Sequence, residues 1–189
     1  MESVLMVSYI QPNKEVLADM LPMSLYKELY TSTSCNEARR LLSERKIDLV
    51  LINMPLKDET GEKLAKEIAY RSTTQVILMV STEHYDEVAS KVEELGVIMV
   101  AKPINKKILE ASIKIAKVTH NRLRLLENEN TLLNKKIDDI RTVSRAKCIL
   151  IEYRGMSEAQ SHKYIEKEAM NLRKTRKEIA EAIILNYGD

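Results

Sequence analysis

Asp48-Leu49-Val50-Leu51-Ile52-Asn53-Met54-Pro55 is the stretch on which the fold turns. A short unbroken aliphatic run, closed by Asn, Met and Pro, reads as a strand within a sheet. Val4-Leu5-Met6-Val7, Val76-Ile77-Leu78-Met79-Val80 and Val97-Ile98-Met99-Val100 repeat the pattern, and a weaker strand is expected in Leu25 to Thr31. Amphipathic stretches lie between these runs, so strand and helix alternate and the sheet is parallel. Five strands and five helices between Ser3 and about Thr119 suit an α/β, flavodoxin-like, doubly wound five-stranded parallel sheet.

In such a sheet chemistry gathers at the carboxyl ends of the strands. Here those ends carry Ser8-Tyr9-Ile10-Gln11, Asn53 with Met54-Pro55 and Gly61, Val80-Ser81-Thr82, and Ala101-Lys102-Pro103. The series resembles the receiver domain of two-component response regulators across the whole N-terminal domain. The resemblance implies that Ser81 and Lys102 hold the family's hydroxyl and lysine positions. It also implies that Asn53 stands where the phosphate-accepting aspartate belongs, followed by a loop two residues shorter than the family's. The family's metal-holding acidic pair after the first strand is replaced by Ser8-Tyr9-Ile10-Gln11.

Phosphoryl transfer to a carboxylate needs that nucleophile and a metal to offset charge, so a pseudo-receiver with no metal and no cofactor is expected. Asp48 lies at the start of its strand, roughly 15 Å from the far end at about 3.3 Å per residue, and Asp58 lies in a loop without acidic partners. Lys102 and Ser81 either pin the strand ends or bind an anion; the structural role is the favoured one.

Residues 141 to 185, RTVSRAKCILIEYRGMSEAQSHKYIEKEAMNLRKTRKEIAEAIIL, read as three helices. Gly155 suits a left-handed helix end, and Ser157 with Gln160, then Thr175 with Glu178, form capping boxes. Apolar residues recur at helical spacing: Ala146, Ile149, Leu150 and Tyr153; Ile165, Ala169 and Leu172; Ile179, Ala182 and Ile183. Helices this short close on one another to be stable.

The surface of that bundle is basic. Arg173, Lys174, Arg176 and Lys177 straddle the corner between its last two helices, and Arg141, Arg145 and Lys147 lie on the incoming one. A solvated polar face is the ordinary explanation for such a run, but clustering at a helix start favours a phosphate backbone. The blocks Ser144 to Leu150, Met156-Ser157-Glu158, Glu168-Ala169-Met170 with Arg173 and Lys174, and Glu178-Ile179-Ala180 resemble the ANTAR domain, an RNA-binding module of bacterial antitermination regulators.

The resemblance implies that Ala146, Lys147, Arg173 and its basic neighbours meet RNA, with the small Ala146 admitting a looped-out base. Cys148 replaces a Gly common in the family, a small residue compatible with close helix packing. Tyr153 and Tyr164 read as core residues rather than base platforms.

Between the two parts, Leu123, Leu126, Asn130, Leu133, Ile137 and Ile140 alternate at steps of three and four, the heptad rule of a coiled coil. Asn130 at an a position suits a parallel homodimer, in which it bonds to its twin. The flanking charges are mixed, since Arg122 would meet Glu127 favourably while Lys136 would face Arg141. The same stripe could instead pack back on the chain's own N-terminal domain. With neither Pro nor Gly from Asn105 to Tyr153, one helix joining both parts is the simplest organisation. The expected division is 1–119 receiver-like, 120–140 coiled-coil linker and 141–189 RNA-binding.

Bulk properties agree with a cytoplasmic, non-enzymatic regulator. No run approaches the roughly 18 apolar residues of a membrane span, and no basic leader is evident. Cys35 and Cys148 lack metal-ligand spacing and are expected as buried thiols. The net charge is only +2, but residues 1–119 carry 16 basic and 17 acidic side chains whereas residues 141–189 carry 10 and 7. The expected function is antitermination by a dimer on paired RNA stem-loops, with an unidentified regulatory protein or sensor kinase as a further partner. A protein-interaction adaptor and a DNA-binding response regulator are the alternatives; the second lacks helix-turn-helix spacing in the last two helices.

Overall fold

A computed structural model of the chain describes residues 3–10, 21 and 26–187. The strands are β1 (Ser3–Ser8), β2 (Glu28–Ser32), β3 (Leu49–Asn53), β4 (Gln75–Ser81) and β5 (Ile98–Lys102), all parallel and ordered β2-β1-β3-β4-β5. This is the flavodoxin-like sheet expected, although β2 begins three residues later than the apolar signal at Leu25 suggests. Between strands lie α1 (Cys35–Glu44), α2 (Gly61–Arg71) and α3 (Tyr85–Val92), the last flanked by single 3-10 turns. The helix expected between β1 and β2 falls mostly outside the described residues.

Burial on both faces explains the unbroken aliphatic runs, because alternate residues point to opposite sides of a strand. Leu5, Val7, Val50, Ile52, Leu78 and Val80 pack with Leu64 and Ile68 of α2 and Val88 of α3. Val4, Met6, Leu49, Leu51, Ile77 and Met79 pack with Leu109, Ile113 and Ala116. Those three belong to α4 (Lys106–Arg154), whose first turn is capped by Asn105 Oδ1 accepting from Lys107 N at 2.9 Å. Gly61 opens α2 where space forbids a side chain: a Cβ there would lie 2.7 Å from Ile52 Cγ2 and 2.9 Å from Met54 Cγ.

The chain divides into two compact units, at Leu125 and Leu126. The division falls inside α4 and within the stretch expected as the 120–140 linker. The second unit contains the end of α4, α5 (Glu158–Leu172) and α6 (Arg176–Tyr187). Its core is Ala146, Ile149, Leu150, Ile165, Ala169, Ile179, Ala180 and Ile183. Tyr153, Leu172 and Ala182 are exposed, contrary to expectation, and Ala180 takes the inward place on α6. Positions 179, 180 and 183 form one stripe along that helix, and 182 lies on its flank.

Both capping boxes are formed. Ser157 Oγ accepts from Gln160 N at 3.2 Å while Gln160 Oε1 accepts from Ser157 N at 2.8 Å. Thr175 and Glu178 reciprocate at 3.2 and 2.7 Å. Gly155 ends α4 at φ 64°, as its lack of a side chain permits. At the end of α4, the Arg154 guanidinium lies 5.3 Å from the ring centres of both Tyr164 and Tyr187. Its Nη1 donates to Tyr164 Oη at 3.2 Å and its Nε to Tyr187 Oη at 3.1 Å, tying α4 to α5 and α6. Among the described residues no helix is long and apolar enough to cross a membrane.

Candidate nucleic-acid interface

A groove of about 680 Å³ runs between α4 and the start of α6. Lys135, Lys147, Arg176 and Lys177 line it with His162, against a single carboxylate, Asp139. The fold brings these groups together by simple means. One turn of α4 separates Asp139 from Lys135, and the Thr175 cap sets the first turn of α6, with Arg176 and Lys177, at the groove mouth.

Four of the expected RNA-facing cations already hold carboxylates. Lys147 reaches Glu158 at 2.7 Å, Lys177 reaches Asp139 at 2.7 Å, Arg176 reaches Glu166 at 3.3 Å and Arg141 reaches Asp138 at 3.7 Å. Donating a hydrogen bond to Asp139 pushes the Lys177 ammonium pKa up, and accepting one from Lys147 pulls the Glu158 carboxyl down. Surface pairs of this kind are weak because water screens them, so a phosphate can compete with the carboxylate. Meanwhile the pair keeps the cation extended along the groove.

Arg145, Arg173 and Lys174 have no acidic partner within 4.0 Å among the described residues. Arg173 sits at the corner in the left-handed conformation, φ 51°, where Lys174 N closes the helix end on Ala169 O at 3.0 Å. A side chain there costs roughly 1–2 kcal/mol relative to ordinary helix geometry, yet Arg occupies it.

Ala146 is a correction. It is wholly buried in the core with Ile149 and Leu150, because the face of α4 it shares with them is the one turned to α5 and α6. It offers no surface to a base; its small size serves helix packing. Cys148, expected to be packed, is exposed on another side of α4, while Cys35 is buried. The Cys35 thiol is pushed up to about 12, chiefly by burial and then by nearby Asp58 and Glu59. Lys135 and His162 were missed, since the basic count began at Arg141 and His162 stands isolated in sequence.

Leu126, Asn130, Leu133, Ile137 and Ile140 are exposed on α4, the four apolar ones by 46 to 65%, and Leu123 is half-buried.

At the opposite end of the sequence, the ends of β3, β4 and β5 place Asn53, Ser81 and Lys102 on three neighbouring strands. Lys102 Nζ donates to the main-chain oxygen of Met54, and burial lowers the lysine's pKa. Ser81 Oγ lies 2.9 Å from His84 Nδ1, and Ser8 Oγ donates to Ile10 O at 2.7 Å. Asn53 Oδ1 is buried with no hydrogen-bond partner among the described residues. Gln11, named with the missing acidic pair, lies outside the described residues.

Both nearby aspartates have structural partners. Asp48 sits at the start of β3, where its Oδ2 accepts from Ser3 N at 3.3 Å. Asp58 accepts from Cys35 N at 2.9 Å and Asn36 N at 3.1 Å, capping α1. Partial burial works against its ionisation, but these main-chain N–H groups outweigh that and hold the carboxyl below its usual range.

The response regulator receiver domain family matches residues 4–114, more than half of the chain. The chain belongs to that family. The ANTAR domain family matches residues 132–184, so this response regulator carries an ANTAR domain behind its receiver. It is 27% identical over 172 residues to the transcriptional regulatory protein PdtaR of Mycobacterium tuberculosis, covering 91% of this chain and 84% of that one.

Among solved structures it resembles a response regulator receiver domain protein from Clostridium thermocellum at TM-score 0.56 and 22% identity, over 67% of this chain and 99% of that one. A signal receiver domain of an HD domain-containing protein from Pseudomonas fluorescens Pf-5 matches at TM-score 0.57 and 21% identity, over 65% and 91%. These two likenesses concern the fold. A receiver joined to an ANTAR domain makes this chain an RNA-binding response regulator of the antitermination type.

Proposed function

We propose that this response regulator acts as a homodimer, paired through Leu123, Leu126, Asn130, Leu133, Ile137 and Ile140, that holds two ANTAR bundles against two neighbouring stem-loops of a nascent leader RNA. Binding the pair keeps the overlapping terminator from forming, and transcription continues. In this reading residues 1–119 are a receiver, 120–140 the dimer coil and 141–189 the RNA-binding part. Joining two weak sites raises the effective concentration of the second once the first is bound.

The observation that carries the reading is the free corner beside the cationic groove. Arg173 and Lys174 at that corner lack acidic partners among the described residues, as does Arg145 elsewhere on α4, and the displaceable pairs of Lys147, Arg176 and Lys177 line the groove. Cations fix a phosphate backbone in register, and folded loops add shape and hydrogen bonds. The exposed apolar stripe supports self-association, because a solvent-facing a/d seam is stabilised by a partner helix.

The receiver is not switched by phosphoryl transfer in this reading. Asn53 is a neutral amide, and Lys102 donates a hydrogen bond to Met54 O. In-cell control then comes through a protein partner, which can include a sensor kinase acting by contact.

Single-round transcription in vitro on a template with paired hairpins overlapping a terminator tests the reading. Added protein is expected to raise read-through several-fold, with loss of the effect when either hairpin is deleted. Unchanged termination at saturating protein contradicts it.

A further inference from the structure

Between α1 and α2, at the end of the sheet where the strands begin, lies a cavity of about 440 Å³. It is far along the chain fold from the ends that carry Asn53, Ser81 and Lys102: Ile47 precedes β3 and Thr74 precedes β4. Its volume falls within the range that holds small organic ligands, roughly 300–1,000 Å³.

The lining is amphipathic. Leu42, Ile47, Leu64 and Ile68 make the floor, and Arg45, Lys46 and Arg71 stand around it. Arg39 is engaged by Glu67 at 2.8 Å and by Glu59, and Arg71 shares Glu67 at 3.4 Å. Arg45 lies over the Tyr30 ring at 4.9 Å. Arg45 Nη1 also donates to Tyr30 Oη at 3.1 Å, but among the described residues neither Arg45 nor Lys46 has a carboxylate within 4.0 Å, so the rim carries positive charge without a countercharge.

His120, 1% exposed, borders the cavity from α4. Its Nδ1 lies 3.2 Å from Thr73 O. Its Nε2 lies 3.2 Å from Asp48 Oδ1, an ion-pair distance.

We propose that this cavity binds a small organic monocarboxylate with a compact apolar body, its carboxylate at Arg45 and Lys46 and its body on the Leu42, Ile47, Leu64 and Ile68 floor. A divalent cation is disfavoured by the basic rim, and no cluster of metal-ligating side chains occurs among the described residues. Inorganic phosphate would leave the apolar floor uncovered. His120 belongs to the helix shared by both units, so the occupant lies against the element through which the receiver and the ANTAR part are joined. The site is independent of the RNA reading.

Calorimetric titration of the full chain with butanoate, hexanoate and octanoate, each below its micelle concentration and each beside its amide, tests the proposal. Saturable binding is expected, tightening about fourfold per added methylene until the floor is filled, with amides at least tenfold weaker. Ring-proton NMR signals of His120, assigned from a His120→Gln variant, move with the same midpoint. The double variant Arg45→Glu with Lys46→Glu loses tenfold or more, and Leu42→Trp fills the cavity and abolishes binding. If the Trp variant does not fold, the charge-reversed variant decides. Absence of saturable heat with all three acids, equal binding of acid and amide, or an unchanged affinity in the charge-reversed chain overturns the proposal.

Discussion

Lys102 gives its ammonium hydrogen bond to the main-chain carbonyl of Met54, joining the end of β5 to the loop that follows β3. A receiver lysine used in this way stitches strand ends with one of its three N–H donors. In the proposed reading, Asn53, a neutral amide, stands where phosphoryl transfer needs a carboxylate nucleophile.

Incubation with acetyl phosphate and magnesium is therefore expected to leave the intact mass unchanged. A stoichiometric phosphoryl adduct by mass spectrometry would place the acceptor on another carboxylate and contradict the pseudo-receiver reading.

Asp58 caps α1 through Cys35 N and Asn36 N, and its carboxyl is held below the usual 3.8. A depressed folded value stabilises the fold above 3.8, and that contribution is lost as pH falls through the folded value. Asp58→Asn is expected to cost about 0.5–1 kcal/mol at neutral pH, the low end for a cap because the side chain faces water. Urea midpoints of the two proteins converge below pH 3.8; a gap that stays constant through that window refutes the assignment.

Arg173 separates stability from binding. Gly at its left-handed position relieves strain, so Arg173→Gly raises bundle stability by about 1 kcal/mol while weakening RNA binding several-fold. Thermal unfolding and gel shift on the same variant check both signs, and a fall in stability would show that the side chain, rather than its charge, holds the corner.

The exposed stripe predicts a concentration-dependent dimer. Leu133→Glu with Ile137→Glu places like charges in the seam and is expected to give monomers by sedimentation without loss of the receiver fold by circular dichroism. A dimer of unchanged strength would move the interface elsewhere.

Much of this was legible in the chain because it is written locally. Unbroken aliphatic runs such as Leu49–Ile52, the Gly155 turn and both capping boxes depend on neighbours within a few residues. What was missed depends on residues far apart. The place of His120 between Thr73 and Asp48, and the Asp58 cap on a helix over twenty residues earlier, leave no periodic mark. In the bundle, helical spacing indicated a buried face but not its centre, so Ala182 stood in for Ala180; for Ala146 the spacing pointed to the core, and only the family resemblance put it at the RNA surface.

The most direct test measures affinity for paired stem-loop RNA, duplex DNA and unstructured RNA over a salt series, for the parent chain and for Arg173→Ala with Lys174→Ala. The account predicts that stem-loop preference persists at moderate salt, and that the variant binds at least tenfold more weakly with a shallower salt slope and unchanged melting temperature. Equal affinity for all three nucleic acids, fading together as salt rises, or a variant that binds as tightly as the parent, would contradict it.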